Sequence, residues 1–349
     1  MKKKQLVTAG STTVGAGLAG ELQTQGHFLA CRKAPRMRML VTGGAGFIGS
    51  NLVQLLLKEG HDVTVLDNLS SGHRINLRSF SQVRLLIGDV RDPSMVEQAV
   101  NGVEVVFHLA ASVGSARSIE HPIIDAESNV LGTINVLESA RRNRIRKIVF
   151  SSSAAIFGEL KTLPITEDHC VEPDSSYGAT KLCAEKLCLA YGKLYDVEPI
   201  CLRYFNVFGV NQRYDAYGNA IPIFAHKLVF RQPITIFGDG EQTRDFINVR
   251  DVAKANYLAG MSQGVSGAFN VGSGSRVTIN ELVKKMETAS GLSTQTIHGS
   301  PRRGDVRHSL ADISRIRSAI GFKPQVSLEE GLREYMNWAK VAFKSNCLS

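Results

Sequence analysis

Between an apolar run, Met39-Leu40-Val41, and a stretch that begins at Phe47, the chain carries three evenly spaced glycines, Gly43, Gly46 and Gly49. By itself this spacing predicts only a turn. Here Ile48, Leu52, Leu55 and Leu56 come after it at i, i+4, i+7 and i+8, one face of a helix. Strand, glycine turn and helix in that order let a pyrophosphate approach the backbone closely, facing free N–H groups and the positive end of the helix dipole. Gly43, Gly46, Phe47, Ile48 and Gly49 are therefore candidate contacts to a dinucleotide.

The pattern repeats. Apolar strands are expected at 38–42, 63–67, 83–87, 103–107, 145–150 and 197–204, with helices at 93–101, 122–142 and 178–195 between them. Strands alternating with helices predict an α/β fold, a Rossmann-type doubly wound parallel sheet joined by right-handed crossovers. Ligands of such a sheet sit at the carboxyl ends of its strands. The polar departures from the pattern fall there: Asp67, Asp89, His108, Ser151-Ser152-Ser153 and Asn206. Past residue 206 the pattern becomes irregular, with helices expected at 222–231, 250–261, 278–290 and 327–343. We divide the chain into an extension (1–36), a dinucleotide-binding domain (37–206, with a return to the sheet near 246–275) and a smaller substrate-binding region (207–345).

A length of 349 residues is enough to bury a large core, and no apolar run approaches the roughly 18 residues of a membrane helix. The net charge of +9 is spread among acidic residues rather than gathered on a basic stripe. That argues for a small anionic substrate and against nucleic acid. The six cysteines show no Cys-x-x-Cys pair and no zinc spacing, so no metal is expected, and they read as buried free thiols in a reducing cytoplasm.

The extension resembles the first strand and helix of the dinucleotide-binding domain. Leu6-Val7-Thr8 through Gly26-His27 aligns without gaps on Leu40-Val41-Thr42 through Gly60-His61 at a constant offset of 34, but Thr12 stands where Gly46 stands. It reads as a degraded copy of that strand–helix unit that binds nothing and is dispensable. Its glycine- and serine-rich composition makes a poor export signal.

Asp67 lies 18 residues past Gly49 (67 − 49) at the end of the second strand. A carboxylate there accepts hydrogen bonds from ribose hydroxyls and repels a 2′-phosphate, which favours NAD over NADP. Asn68 adjoins it. Asp89, with Val90 after it, could meet the adenine or serve only as a turn residue, and Leu109-Ala110-Ala111 end the fourth strand beside the turn. Tyr177 and Lys181 stand at i and i+4 on one helix face. A phenol is a poor base at neutral pH unless a neighbouring cation favours the phenolate. With Ser153 to bond the reacting hydroxyl, Ser153, Tyr177 and Lys181 form the candidate proton-transfer set.

These motifs together resemble the extended short-chain dehydrogenase/reductases, specifically the UDP-glucose 4-epimerase family. The resemblance runs over about residues 38–340 and includes Gly43–Ser50, Asp67-Asn68, His108–Ala111, Ser151–Gly158, Tyr177–Lys181, Arg203–Gly209, Gly238-Asp239-Gly240, Arg244-Asp245-Phe246 and Gly304–Ser309. It implies an isomerase that oxidises a nucleotide sugar at C4 with tightly held NAD and then reduces it from the other face. Ser153 and Tyr177 would be catalytic, and Lys181 would hold NAD and tune the tyrosine. Asn206, Arg244, Arg302 and Asp305 would bind the UDP-sugar. Ser309 stands where members restricted to glucose and galactose carry a tyrosine, which implies room for an acetamido group and hence UDP-GlcNAc. The resemblance also implies a homodimer through helices near 116–142 and 178–195. The sibling dehydratases carry an Asp-Glu pair where this chain has Ala154-Ala155. Epimerases and decarboxylases of uronic sugars stay compatible with the motifs, and an NAD-sensing regulator is the non-enzymatic alternative.

Overall fold

The computed structural model describes residues 35–215, 218–301 and 306–345. In chain order the first half holds β1 (Arg38–Thr42), α1 (Phe47–Lys58), β2 (Asp62–Asp67), β3 (Arg84–Ile87), α2 (Pro93–Val100), β4 (Val105–His108), α3 (Ser115–Glu120), α4 (Pro122–Ala126), α5 (Gly132–Arg142), β5 (Lys147–Ser153), α6 (Ser176–Leu194) and β6 (Glu198–Tyr204). The second half holds β7 (Asn206–Phe208), α7 (Ala220–Val229), β8 (Ile234–Phe237), β9 (Thr243–Arg244), β10 (Phe246–Asn248), α8 (Val249–Met261), β11 (Gly267–Val271), β12 (Val277–Thr278), α9 (Ile279–Ser290), β13 (Thr296–Gly299), α10 (Ser314–Ile320) and α11 (Leu328–Ser345).

Seven strands form one sheet in the order β11-β6-β5-β4-β1-β2-β3, and every neighbouring pair is parallel. A sheet covered on both faces needs strands that are apolar on both sides. Met39, Leu40 and Val41 in β1 and all of β4 are accordingly buried. On one face Leu52, Val53 and Leu56 of α1 pack with Val252, Ala253 and Ala259 of α8. On the other, Val96 and Val100 of α2, Val136 and Leu137 of α5, and Ala184 of α6 close the second layer. Each buried leucine or valine contributes roughly 1.5–3 kcal/mol of transfer free energy. The strand order reverses between β1 and β4, which opens a crevice at their carboxyl ends.

The later segments build a third core from Ile221, Phe224 and Leu228 of α7, Ile234 and Ile236 of β8, Leu282 and Met286 of α9, and Leu332, Tyr335 and Met336 of α11. Short ladders tie this part to the crevice. β10 pairs with β7, placing Phe246 opposite Asn206, and β12 pairs antiparallel with β9, placing Val277 opposite Arg244.

Three expectations need correction. The helix expected over 122–142 is broken: α4 starts on Pro122, passes into a π-helical turn (Glu127–Leu131) and only then becomes α5. The wider turn carries Asn129 inward at 2% exposure. Helices α3 and α10 are too short for their periodicity to stand out. Cys188 and Cys201 are buried, but Cys170 and Cys183 are exposed, so the thiols are not uniformly core filler. Residues 1–34, and with them the repeated segment, lie outside the described residues. No helix among the described residues is long and apolar enough to cross a membrane.

Candidate active site

Gly43 leaves β1 with φ +70 and donates its N–H to the Leu66 carbonyl at 2.8 Å. A Cβ at Gly43 would stand 2.8 Å from the Ala110 nitrogen, and one at Gly49 would stand 2.1 Å from the Gly43 carbonyl oxygen. Positions 43 and 49 of the turn therefore take only glycine. Gly46 caps α1 in an extended conformation with no side-chain hydrogen bond to the first turn, the kind of open helix start that accepts an anion. Close backbone approach and an uncapped helix start fit the pyrophosphate of NAD.

Asp67 is 7% exposed at the end of β2. It accepts the Ala45 N–H at 2.9 Å on one oxygen and the Leu69 N–H at 2.8 Å on the other, which locks it to the glycine turn. A Cβ at Gly72 would come within 2.7 Å of the carboxylate. Asp89 is already engaged: Arg91 clamps it through two hydrogen bonds of 3.0 and 2.9 Å, and Asn68 adds a third at 2.8 Å. The guanidinium of Arg91 holds the Asp89 carboxyl down at about 2. Of the two roles weighed for it, the local turn is the one its hydrogen bonds express. Val90 packs into the core beneath.

His108 is 1% exposed and sits under Leu109-Ala110-Ala111. The Thr133 hydroxyl gives its proton to the Asn129 carbonyl at 2.6 Å, so its oxygen accepts from His108 Nε2–H at 3.0 Å. Nδ1 is then a bare acceptor for the Thr42 hydroxyl at 2.7 Å. The Thr42 oxygen accepts the N–H groups of Leu109 and Ala110, each at 3.2 Å. Burial pushes the imidazole down to about 3, consistent with this neutral tautomer. The chain of bonds pins the loop that faces the glycine turn.

Ser153 is the last residue of β5, and its hydroxyl accepts the Ala155 N–H at 3.2 Å. Tyr177 opens α6, where its N–H donates to the Ser118 hydroxyl at 2.9 Å. Burial pushes the Tyr177 phenol up to about 12, while a hydrogen bond with Ser153 pulls it back. Lys181 is 2% exposed, with Nζ 4.4 Å from the centre of the Phe150 ring. Burial brings it down to about 8. The Lys181 ammonium rests on the Phe150 face, and the Ser153 hydroxyl is a neighbour that lowers the Tyr177 phenol.

Asn206, Arg244 and Ser309, the expected substrate-side residues of the later segments that are described, lie around β9. Asn206 donates its side-chain amide to the Asp245 carbonyl at 3.2 Å, and Arg244 donates to the Thr243 carbonyl at 2.8 Å. Ser309 is 8% exposed, and its N–H donates to the Thr243 carbonyl at 3.1 Å. Arg307 is bound in two hydrogen bonds of 2.7 and 2.9 Å to Asp239. Arg302 and Asp305 lie outside the described residues.

Sequence reasoning passed over four supporting side chains. Ser118 and Asp125 come from α3 and α4, and Thr180 and Glu185 from α6; each is a single polar residue whose partner lies far away in sequence. Glu185 had one readable signal, its i+4 spacing from Lys181.

Comparison with known proteins supplies the family. The model of the NAD dependent epimerase/dehydratase family matches residues 39–272. A putative UDP-glucose 4-epimerase of Methanocaldococcus jannaschii is 41% identical over 304 residues, covering 86% of this chain and 98% of that protein. The structure of UDP-glucose 4-epimerase from Thermotoga maritima with UDP-glucose superposes with a TM-score of 0.83 at 35% identity, covering 89% of this chain and all of that one (100%). The UDP-N-acetylglucosamine 4-epimerase of Methanobrevibacter ruminantium M1, solved with UDP-N-acetylmuramic acid, gives 0.84 at 35% identity, with 90% and 100% covered. A UDP-N-acetyl-alpha-D-glucosaminuronate decarboxylase of Bacillus cytotoxicus and a UDP-glucuronate 4-epimerase of Thermodesulfobacterium geofontis are each 32% identical, over 87% and 86% of this chain. The seven-stranded parallel sheet, the glycine cradle and these matches agree: the chain belongs to the NAD dependent epimerase/dehydratase family.

Proposed function

We propose that the chain is a UDP-sugar 4-epimerase that acts on UDP-GlcNAc/UDP-GalNAc and on UDP-glucose/UDP-galactose, with Ser153, Tyr177 and Lys181 as its catalytic set. The observation that carries this reading is the pairing of the Ser153 hydroxyl with the Tyr177 phenol at the carboxyl end of the sheet, beside a glycine cradle suited to NAD. NAD held in that cradle would supply the acceptor and the donor of the C4 hydride. Tyr177 takes the proton of the C4 hydroxyl, Ser153 holds that oxygen by a hydrogen bond, and Tyr177 gives the proton back when the ketone is reduced from its other face. The phenol, pushed up to about 12 by burial, needs a nearby positive charge to serve as a base, and an oxidised nicotinamide ring would supply one.

Asn206 and Arg244, with Arg302 and Asp305, are the proposed holders of the UDP-sugar, since a diphosphate favours permanently charged planar donors. Ala154 and Ala155 offer no acid or base after Ser153, which disfavours dehydration. Arg307 is committed to Asp239 rather than open to a uronic carboxylate, which supports a neutral sugar over the uronic alternatives. The test is product analysis by NMR after incubation with UDP-glucose, UDP-GlcNAc and UDP-glucuronate, with no NAD added. The 4-epimers of the first two should form, and Tyr177→Phe should lower the rate at least about 10²-fold. A decarboxylated or dehydrated product, or a Tyr177→Phe protein as fast as the parent, refutes the reading.

A homodimer is part of the proposal. Ile119, Ile123, Ile124 and Leu131 are 65%, 73%, 51% and 53% exposed along α3, α4 and the π-helical turn, an apolar face suited to a second copy. Light scattering should report twice the chain mass, and Ile123→Glu should halve it.

A further inference from the structure

We propose that Asp125 is the counter-charge of the Tyr177/Lys181 pair, a buried carboxylate on α4 held against the catalytic helix by Thr180. The inference deepens the epimerase reading and rests on it for the roles of Tyr177 and Lys181.

Three observations carry it. Asp125 is fully buried (0% exposed), which is costly for a carboxylate with no compensation. One of its oxygens accepts from the Thr180 hydroxyl at 2.5 Å; the other has no hydrogen-bond partner among the described residues. Thr180 is the residue before Lys181, and its hydroxyl also lies 3.1 Å from the Tyr177 carbonyl and accepts from Asn129 at 3.1 Å. The carboxylate is thereby fixed beside the turn of α6 that bears both catalytic residues, with one oxygen left to act through space.

The other groups facing the pair are paired or neutral. Glu185, one turn on in α6, also raises Lys181, less than Asp125 does, and is paired with Arg203 of β6 at 2.7 Å. His108 of β4 is neutral. Cys188 of α6 is a buried thiol, and burial pushes the Cys201 thiol and the Tyr204 phenol of β6 far up, so both stay uncharged. Asp125 is the uncompensated negative charge of this set. A negative charge opposes proton loss from both neighbours: it adds to the rise of Tyr177 and counters the burial that brings Lys181 down. It keeps Lys181 a cation at some cost to the basicity switch of Tyr177.

Catalysis needs Tyr177 deprotonated, which sets the acid limb of the pH profile, and Lys181 protonated, which sets the alkaline limb. Removing the Asp125 charge should lower both. The experiment is the pH dependence of kcat for the parent, Asp125→Asn, Thr180→Val and Thr180→Ser, together with heteronuclear NMR titration of labelled lysines, the Lys181 signal being assigned by its loss in Lys181→Met. In Asp125→Asn both limbs should move down by about one pH unit without the bell widening, and the Lys181 titration should move down with them. Thr180→Val strips the last hydrogen bond from the carboxylate and frees it from the catalytic helix, so it should shift both limbs in the same direction; Thr180→Ser keeps the hydroxyl and should match the parent. A lower kcat with both limbs in place, or an unmoved Lys181 titration, overturns the proposal and leaves Asp125 a packing residue. Should Asp125→Asn fail to fold, the contrast between Thr180→Val and Thr180→Ser decides the matter. Failure of the epimerase reading is separate: a parent inert on every UDP-sugar would leave the lysine titration intact as the test of Asp125.

Discussion

Ser152 donates a 2.7 Å hydrogen bond to Glu185, joining the end of β5 to the middle of α6. The same carboxylate accepts from Arg203 Nε at 3.0 Å and Nη2 at 2.7 Å. Arg203 in turn donates to the Glu167 carbonyl at 2.8 Å and lies 5.2 Å from the centre of the Phe157 ring. Ser153 and Lys181 are thus referenced to one buried carboxylate, Ser153 through its neighbour Ser152 and Lys181 through the next turn of its own helix.

This arrangement predicts that stability and rate can be separated. Glu185→Ala leaves the Arg203 guanidinium buried and unpaired and should cost about 3–5 kcal/mol by urea unfolding. Replacing both partners, Glu185→Met with Arg203→Met, should recover most of that stability but not kcat. Ser152→Ala, which keeps the ion pair, should lower kcat about tenfold at unchanged KM. If the double variant regains full kcat, the pair is a packing device only.

A second prediction concerns the cofactor cradle. Gly49→Ala drives a methyl to within 2.1 Å of the Gly43 carbonyl oxygen, a backbone atom, whereas Gly46→Ala brings one only to 3.1 Å of the same oxygen. Gly49→Ala should therefore distort the turn, with NAD affinity down by at least about tenfold in calorimetry and stability down by about 1–3 kcal/mol. Gly46→Ala should be milder on both counts. The reverse ranking would show that the turn tolerates the helix-side methyl.

Much of the fold and the cradle was legible in the chain because the physics is local. The strands of the main sheet show as continuous apolar runs, since both their faces are buried. The glycine turn is readable because its crowding occurs between residues six apart, Gly43 and Gly49. What the chain hid is long-range. Nothing around Glu185 announces Arg203, and nothing around Asp125 announces Thr180, 55 residues on. The break at the π-helical turn was hidden because Ile123, Ile124 and Leu131 keep the apolar look of a helix while facing outward. Spacing reveals that Tyr177 and Lys181 share a helix face, but not that the ammonium turns onto Phe150.

Substrate range gives a third prediction. Ser309 is 8% exposed, and its N–H is fixed to the Thr243 carbonyl at 3.1 Å, so a larger side chain at this position cannot move away by shifting the backbone. Ser309→Tyr should lower kcat/KM for UDP-GlcNAc about 10–200-fold, the range expected for steric exclusion of a small group, and leave UDP-glucose nearly unchanged. Equal losses on the two sugars would place Ser309 away from the 2-substituent.

The buried imidazole of His108 gives a prediction about stability. Its Nε2–H is given to Thr133 and its Nδ1 takes the Thr42 proton, so a second ring proton would displace the Thr42 donor and place a charge in a dry site. The folded-state value is depressed to about 3 from the ordinary 6.5. Above the unfolded value both states carry a neutral ring and the group adds no pH dependence. As the pH falls below about 6.5, the unfolded chain binds a proton that the folded chain refuses, and stability drops by about 1.4 kcal/mol per pH unit until the folded value is reached. Between about pH 7.5 and pH 5 this amounts to roughly 2 kcal/mol. His108→Gln removes the titration, so the stability gap between parent and variant in urea unfolding should be constant above about pH 7.5 and narrow by roughly 2 kcal/mol by pH 5. A gap of constant size across that range would mean that the ring takes up its proton in the folded state, and that the bonds through Thr42 to Leu109 and Ala110 do not depend on its neutrality.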